Sequence, residues 1–433
     1  MQTILIQTYG CSANQNNSEI LKGILTQAGY QIVNNEKIAD IIILNTCIVK
    51  GKTENKIKRR IQDLKKSRKL LIVSGCMPET NAKQIKQLNE KAILLGTHHF
   101  KDILNLLRDC KENKLNWQKQ NLYLSNANEE KLLLPKLPEN RLISITQISE
   151  GCLGSCSFCK ARLAKGRLFS YLEEKILKSI ENDLTSGAKE IWLTSQDNAA
   201  YGLDKGKQEL PDLLNKILAL NHRFKLRLGM MNPNNLYPIL NQILEIFKNK
   251  KLYKFLHIPI QSASDKLLKD MNRNYKIKIA EEIITKFRKE FPDITIATDI
   301  IVGYPTETEQ DYKLNLDFIN KFKPDVLNLS KFSKHKNTEA GKLKELDIKT
   351  INKRTSEIMQ SHRQTANENK KKFLNKEIQV FINKKIAGNL FEARDENYHI
   401  ILIKSDENIL GRTLKVKIRE IGVHHMIGEI NSL

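Results

Sequence analysis

Three short apolar runs near the start of the chain each stop on a cysteine: "ILIQTYGC" at Cys11, "IIILNTC" at Cys47 and "LLIVSGC" at Cys76. Each run has the length of one strand, and stretches with helical spacing of apolar residues lie between them. Parallel strands need long crossovers, so this alternation predicts a doubly wound parallel sheet. In such a sheet the C-terminal strand ends share one edge, which is where ligands bind. Cysteines far apart in sequence are thereby brought together. One cysteine after a strand is ordinarily a small buried residue. Repetition at three strands points instead to a three-thiol cluster.

The first helix is predicted from about Ser18 to Ala28, with Ile20, Leu21, Ile24, Leu25 and Ala28 on its buried side. Asn16 and Glu19 fit a capping box and Gly29 fits the stop, which leaves the Asn-rich segment after Cys11 as a polar loop. A later helix carries Lys52, Lys56, Lys58, Arg59, Arg60, Lys65, Lys66, Arg68 and Lys69 against only Glu54 and Asp63. Ile57, Ile61 and Leu64 give it one apolar face, so the opposite face is strongly basic. That face is either simply solvated or a set of phosphate contacts.

"SEGCLGSCSFCK" holds a second thiol set, Cys152, Cys156 and Cys159, in a CxxxCxxC spacing. It follows "LISITQIS", the first of six strand-like runs; the others are "EIWLTSQ", "KLRLGMM", "FLHIPIQ", "TIATDIIVG" and "VLNLSKF". Six strands with helices between them predict a partial (β/α)6 barrel, open at the side, with functional loops at the C-terminal strand ends. Three thiolates on one loop can hold three irons of a 4Fe–4S cluster and leave the fourth iron open. A structural zinc site would want four ligands, and no nearby Cys or His completes one. Cys110 fits neither set and reads as structural.

These runs divide the chain into an N-terminal domain (1–111), a polar linker with Pro135 and Pro138 (112–140), the barrel domain (141–374) and a C-terminal domain (375–433). A long charged helix, about Ile348 to Leu374, closes the barrel domain. From Ile378 the periodicity becomes two, which predicts a small antiparallel β-barrel. The fold class is therefore α/β with an appended β domain.

At 433 residues the chain can bury a substantial core. Its net charge of +23 points to a polyanionic partner, most simply nucleic acid, with a lysine-rich proteome as the alternative. No run is long enough to span a bilayer, and "MQTILIQTYG" reads as a strand, not a signal peptide. A cytoplasmic protein is expected, with no disulfides among its seven cysteines.

Taken together, "GCSANQNNSE", "NTC", "SGC" and the CxxxCxxC loop resemble the radical S-adenosylmethionine (SAM) methylthiotransferases along the whole chain. The resemblance is greatest to the archaeal and eukaryotic-type threonylcarbamoyladenosine tRNA methylthiotransferases, with "GCLGSCSFCKARLAKGRLFSY" and "LTSQDNAAYGLD" carrying the subgroup. It implies that Cys152, Cys156 and Cys159 hold the radical SAM cluster, and Cys11, Cys47 and Cys76 an auxiliary 4Fe–4S cluster bearing the sulfur. Asn14, Ser18 and Glu19 match the family's pattern around that second cluster. The implied reaction places a methylthio group on C2 of N6-threonylcarbamoyladenosine (t6A) at position 37 of tRNA, with SAM as methyl donor and radical source. Gln196, Asp197, Gln261, Asp299 and Gly303, at barrel strand ends, are the implied SAM contacts, though strand-end polar residues serve equally as caps. Arg227 and His257 face into or out of the barrel according to register.

The C-terminal barrel resembles a TRAM domain, an OB-like RNA binder. Lys384, Lys385, Arg412, Lys415, Lys417 and Arg419 are its candidate phosphate contacts. The implied partners are a tRNA anticodon stem–loop containing t6A37 and a low-potential electron donor of ferredoxin or flavodoxin type. A monomer is expected, and no membrane, since the chain lacks the C-terminal anchor of the animal relatives. The chain departs from the family at Lys165, where Arg usually precedes the glycine, at Ala263 in "QSAS", and in "HKNTEA". A methylthiotransferase for another tRNA adenosine or a ribosomal protein, and a non-catalytic iron–sulfur RNA binder, remain as alternatives.

Overall fold

The structure is a computed structural model describing residues 2–48, 51–116, 120, 123–124, 128, 130–335 and 337–430, with Lys52 described by its backbone alone. Five parallel strands form the N-terminal sheet: β1 Thr3–Thr8, β2 Gln31–Ile32, β3 Ile41–Thr46, β4 Leu70–Gly75 and β5 Ile93–Gly96. Their order is β2-β1-β3-β4-β5. Every residue of central β3 is buried, as a strand covered on both faces requires. Helices α2 (Gly51–Asp63) and α3 (Cys76–Leu88) pack one face through Ile57, Ile61 and Ile85. Helices α1 (Ser12–Gln27) and α4 (Ile103–Lys111) pack the other through Leu21, Leu25, Ile103 and Leu106. Strand order reverses between β1 and β3, the switch point where such sheets bind ligands.

Helix α1 begins at Ser12, not near Ser18, and the predicted capping box is absent. Asn14, Asn16, Asn17, Ser18 and Glu19 lie inside the helix and are buried, while Ala28 is exposed. The side chains of Asn14, Asn16, Asn17 and Ser18 bond to strands or strand ends, and that of Glu19 accepts from the Glu139 N–H; this tertiary pairing overrides the usual preference of Asn and Ser for caps and turns. Gly29, at φ +86°, ends the helix as predicted.

The barrel strands are β6 Ile143–Gln147, β9 Glu190–Thr194, β10 Lys225–Leu228, β11 Phe255–His257, β12 Thr295–Val302 and β13 Val326–Lys331. They form two parallel halves, β10-β9-β6 and β11-β12-β13, bridged from Leu226 to Leu252. A short antiparallel pair, β7 Ser149–Glu150 with β8 Phe169–Ser170, brackets the cysteine loop. The barrel is open between β6 and β13, but helix α1 covers the β6 side. Asn16 Nδ2 donates to the Ile145 carbonyl at 2.7 Å, and Gln147 Nε2 donates to Asn16 and Asn17 at 3.0 and 2.8 Å.

The described part of the predicted linker is a docked strap. Gln120 bridges to the N–H of Leu94 on β5 at 3.1 Å, the Leu137 N–H donates to the Glu19 carbonyl at 2.9 Å, and Lys136 Nζ reaches the Ile145 carbonyl at 3.1 Å. Gly23 of α1 admits it: a Cβ there would stand 2.3 Å from the Pro135 backbone. Residues 117–119, 121–122, 125–127 and 129 of that segment lie outside the described residues.

A long helix, Ile348–Lys371, leads to the C-terminal barrel: β14 Glu377–Ala387, β15 Leu390–Arg394, β16 Ile400–Lys404, β17 Thr413–Ile421 and β18 Met426–Ile430. The barrel closes in the order β14-β15-β16-β18-β17. It is not wholly antiparallel as predicted, because β16 and β18 pair in parallel. Its β15–β16 turn plugs the N-terminal end of the larger barrel. There the Tyr398 ring lies 4.9 Å from Tyr253, 5.0 Å from Phe255 and 6.1 Å from Trp192. Around it the Lys254 N–H donates to the Glu396 carbonyl at 2.9 Å, and Thr295 meets His399 Nε2 at 3.2 Å.

Candidate functional site

The strand-end thiols converge as the topology predicts. Cys11 and Cys47 flank the switch point, and Cys76 opens α3 one strand away. Gly10, at φ +110°, allows the approach: a Cβ on it would stand 2.8 Å from Cys47 Sγ. Asn14 ties the three ends together. Its Nδ2 donates to the Tyr9 carbonyl at 2.8 Å and the Thr46 carbonyl at 2.9 Å, and its Oδ1 accepts from Cys76 Sγ at 3.9 Å. Asn45 supports the latch by donating to the Asn14 carbonyl at 2.7 Å and to Ser18 Oγ at 2.8 Å. Burial pushes the Cys76 thiol up to about 12. A thiolate there therefore needs a positive partner, as a bound metal provides.

The second triad follows β6 and β7, at the C-terminal end of the six-stranded barrel. Gly154 leaves room between its thiols, since a Cβ would lie 3.3 Å from Cys152 Sγ and 3.8 Å from Cys156 Sγ. Donors point at the sulfurs: the Gly154 N–H is 3.2 Å from Cys152 Sγ, and Arg273 Nη1 is 3.8 Å from Cys156 Sγ. Burial raises the Cys152 thiol to about 11 and raises that of Cys159 as well. Three thiols, a cradle that a Cβ would fill and N–H groups aimed at sulfur fit an anionic iron–sulfur cluster. Arg273 was not singled out from sequence; it is far from the loop along the chain, and only packing brings it there.

The two triads belong to one region. The short helix Ala161–Lys165, just after Cys159, packs on α3, with Ala164 in the same core as Cys76 and Met77. Lys160 Nζ is 3.5 Å from Glu54 on α2, and His335 Nδ1 is 3.7 Å from the same carboxylate. The departing "HKNTEA" segment also holds the loop, through the Ala340 N–H to the Ser157 carbonyl at 2.9 Å; its Lys336 lies outside the described residues.

The implied SAM contacts fare unevenly. Asp197 is buried, and its carboxylate accepts from the Ala199 N–H, the Asn232 N–H, Asn232 Nδ2 and Asn235 Nδ2 at 2.7–3.2 Å. It thus organises the loops after β9 and β10. Gln196 carries a buried Oε1 with no hydrogen-bond partner among the described residues, an acceptor available to a ligand. Gln261 adopts φ +68° beside β12, where its N–H donates to the Asp299 carbonyl at 2.7 Å. Asp299 Oδ2 is 2.8 Å from His257 Nε2. Gly303, at φ +78°, meets Ile351 of the long helix, which a Cβ would approach to 2.6 Å. Ala263 donates its N–H to Asn315 Oδ1 at 2.7 Å. Arg227 lies over the rings of Trp192, Phe255 and Tyr398 at 5.1–5.6 Å, inside the plugged end of the barrel.

Two surfaces carry the basic residues. On α2 and the turn after it, Lys56, Arg59, Lys65, Lys66 and Arg68 are exposed, whereas Lys58 pairs with Glu54 at 2.8 Å and Arg60 with Glu36 at 2.5 Å. On the C-terminal barrel, Lys384, Lys385 and Lys415 are exposed. Arg412 and Arg419 pair with Glu407 and Glu429 at 3.4 and 2.5 Å, and Lys417 is half-buried.

Comparison with known proteins places this architecture. The chain is 35% identical over 430 residues to a protein of Archaeoglobus fulgidus named "Probable threonylcarbamoyladenosine tRNA methylthiotransferase", covering 99% of this chain and 98% of the relative. The chain belongs to the threonylcarbamoyladenosine tRNA methylthiotransferase family. Its Xenopus laevis and Homo sapiens members are 33% and 31% identical, each over 99% of this chain and over 77% and 74% of their own length. Residues 3–96 match the model described as uncharacterized protein family UPF0004, and residues 146–319 match the radical SAM superfamily. Among solved structures, the fold resembles the radical SAM methyltransferase TsrM of Kitasatospora setae, with a TM-score of 0.57 and 12% identity over 79% of this chain and 75% of that one. It also resembles the radical SAM enzyme OxsB, with a TM-score of 0.54 and 15% identity over 84% of this chain and 56% of that one. Among the described residues no helix is long and apolar enough to cross a membrane.

Proposed function

We propose that this protein methylthiolates C2 of t6A at position 37 of tRNA, using SAM and two 4Fe–4S clusters. The observation that carries the reading is the meeting of two cysteine triads, from two separate sheets, in a chain related over its full length to enzymes named for that modification. A 4Fe–4S cluster with an open iron binds SAM and supplies the electron for its reductive cleavage, chemistry that no side chain provides.

The chain's own residues divide the remaining tasks. Cys152, Cys156 and Cys159 supply three sulfurs on a loop that Arg273 and the Gly154 N–H polarise. Cys11, Cys47 and Cys76 supply three more, held in register by Asn14. Gln196, Gln261 and Asp299 line the SAM side, with Asp197 positioning the loops and Gly303 setting the turn after β12. Helix α1 and the strap cover one side of the barrel and keep water from that flank. The exposed cations of α2, Lys384, Lys385 and Lys415 take the phosphates of the anticodon arm. The protein works as a cytoplasmic monomer, with a low-potential ferredoxin or flavodoxin-type donor.

Nucleoside mass spectrometry of tRNA from a deletion strain tests the reading. Loss of 2-methylthio-t6A with t6A retained is expected, and unchanged 2-methylthio-t6A refutes it. In parallel, anaerobically reconstituted protein is expected to hold about eight irons, two four-iron clusters, and to form 5'-deoxyadenosine from SAM and reductant.

A further inference from the structure

Alternation along the six barrel strands sorts their side chains into two sets. Ile191, Leu193, Leu226, Leu228, Leu256 and Ile300 belong to the apolar core beneath the surrounding helices. Their neighbours Trp192, Thr194, Arg227, His257, Asp299 and Ile301 therefore face the lumen. All six remain half-buried, so solvent enters the lumen and side chains do not fill it. The interior of an eight-stranded barrel is ordinarily a packed apolar core. This one is polar, and the Tyr398 ring shuts it at the N-terminal end. Its open end is the mouth that carries the radical SAM cysteine loop.

Arg227 stands on the floor of that lumen. Its guanidinium lies 5.6 Å from the Trp192 ring, 5.1 Å from Phe255 and 5.5 Å from Tyr398. Among the described residues it makes no hydrogen bond or ion pair, and its Nε is buried without a partner. The carboxylates of neighbouring elements are engaged elsewhere. Asp299 Oδ2 is 2.8 Å from His257 Nε2. Glu190 accepts from the Tyr253 hydroxyl at 2.7 Å and from Trp192 Nε1 and Asn383 Nδ2 at 3.0 Å each. Glu392 accepts from Arg394 Nη2 at 2.6 Å. A guanidinium stays charged in a protein, and its planar fork matches a carboxylate. Three rings thus hold a permanent cation in place and leave its hydrogen-bond donors unused. Arg227 pairs across the sheet with Trp192, two residues before the end of β9, so its backbone lies about 7 Å below that strand end.

We propose that Arg227 is a specificity-determining residue that binds the carboxylate of the threonylcarbamoyl arm of t6A inside the barrel lumen. This rests on the reading of t6A as substrate. The arm joins N6 through a urea-like linkage to the threonine α-carbon, and the carboxylate carbon lies about 5 Å from N6 in peptide-like geometry. An adenine seated at the mouth with its arm directed inward brings that anion toward the fork. An arm ending in hydrocarbon leaves Arg227 unpaired in a site shut off from bulk water, and the unmet donors reject it.

The test uses the full-length protein with its clusters reconstituted, acting on a synthetic anticodon stem–loop that carries either t6A or its carboxamide analogue at position 37. The two substrates differ in the charge of the arm. Native protein is expected to favour the carboxylate in kcat/KM by about 10–100-fold, the effect of losing hydrogen bonds to a charged group. Arg227→Gln is expected to lose that preference and to treat both arms alike, while still forming 5'-deoxyadenosine from SAM. Arg227→Lys, which keeps the charge but not the fork, should fall between. Equal kcat/KM of the native protein on the two arms overturns the proposal. So does a preference that persists at its native size in both variants, because a role confined to packing lowers both substrates together. If Arg227→Gln does not hold its native iron content, the Arg227→Lys ratio decides: a ratio below native supports the proposal and an unchanged one overturns it. Native protein that cleaves SAM but methylthiolates neither stem–loop refutes the t6A reading itself, a separate and recognisable result.

Discussion

Removing the Tyr398 ring should free the C-terminal barrel from the radical SAM barrel. The ring is buried against Trp192, Tyr253 and Phe255, and the guanidinium of Arg394 lies 4.3 Å from its centroid. Truncating a buried aromatic residue to alanine costs about 3–5 kcal/mol, and the lost ring–cation contact adds to this. Tyr398 has φ +66°, and alanine gains no relief at that angle. A cost of about 4 kcal/mol raises the open population by about three powers of ten. Hydrogen exchange of the Lys254 amide, which bonds across the junction to Glu396, reads that population directly. In Tyr398→Ala this amide should exchange about a thousandfold faster, while amides of β3 in the N-terminal sheet keep their native rates. An increase below about tenfold would show that the polar contacts of Glu396 and His399, with the Asn383 Nδ2 bond to Glu190 at 3.0 Å, hold the junction without the ring.

Two further outcomes follow from buried polar groups. Asn14→Ala removes the latch across Tyr9, Thr46 and Cys76, so reconstituted protein should retain about four irons where the native chain holds about eight, with 5'-deoxyadenosine still formed; full iron content would show that the backbone alone sets the thiols. His362, buried on the long helix and facing Lys370, His424 and Asp325, is lowered by burial from 6.5 to about 4. The unfolded chain therefore binds the extra proton between those values, and stability present above pH 6.5 is lost as pH falls toward 4, by about 3 kcal/mol at most. Denaturation of native and His362→Leu proteins at pH 7 and pH 4.5 should show a smaller acid loss in the variant, and equal losses would refute the assignment.

The convergence of Cys11, Cys47 and Cys76 was legible in sequence because strand topology alone delivers it. The start of α1 was not. Asn14, Asn16 and Ser18 carry the signature of a loop or cap, and only distant partners explain why they are helical: the Tyr9 and Thr46 carbonyls for Asn14, the Ile145 carbonyl for Asn16, and the side chains of Thr8 and Asn45 for Ser18. The strap has the sequence of a linker for a similar reason: prolines and charge signal a connection, and nothing local reveals that Lys131 finds Glu150. Asp197 shows the converse. A carboxylate at a strand end suggests a ligand, yet two asparagines more than thirty residues downstream engage it. Lys165 stands in the sequence only as a departure from the family pattern; its buried partners Thr97 and Glu150 come from other parts of the chain, which sequence does not report.

Strand β12 joins the two ends of the molecule. Thr295, its first residue, touches His399 of the C-terminal barrel, and Val302, its last, runs to Gly303 at the mouth. Its 8 residues, at about 3.3 Å each, span about 25 Å. With Tyr398 seated against Tyr253 and Phe255 at one end, the strand holds the C-terminal barrel at that fixed distance from the turn at Gly303.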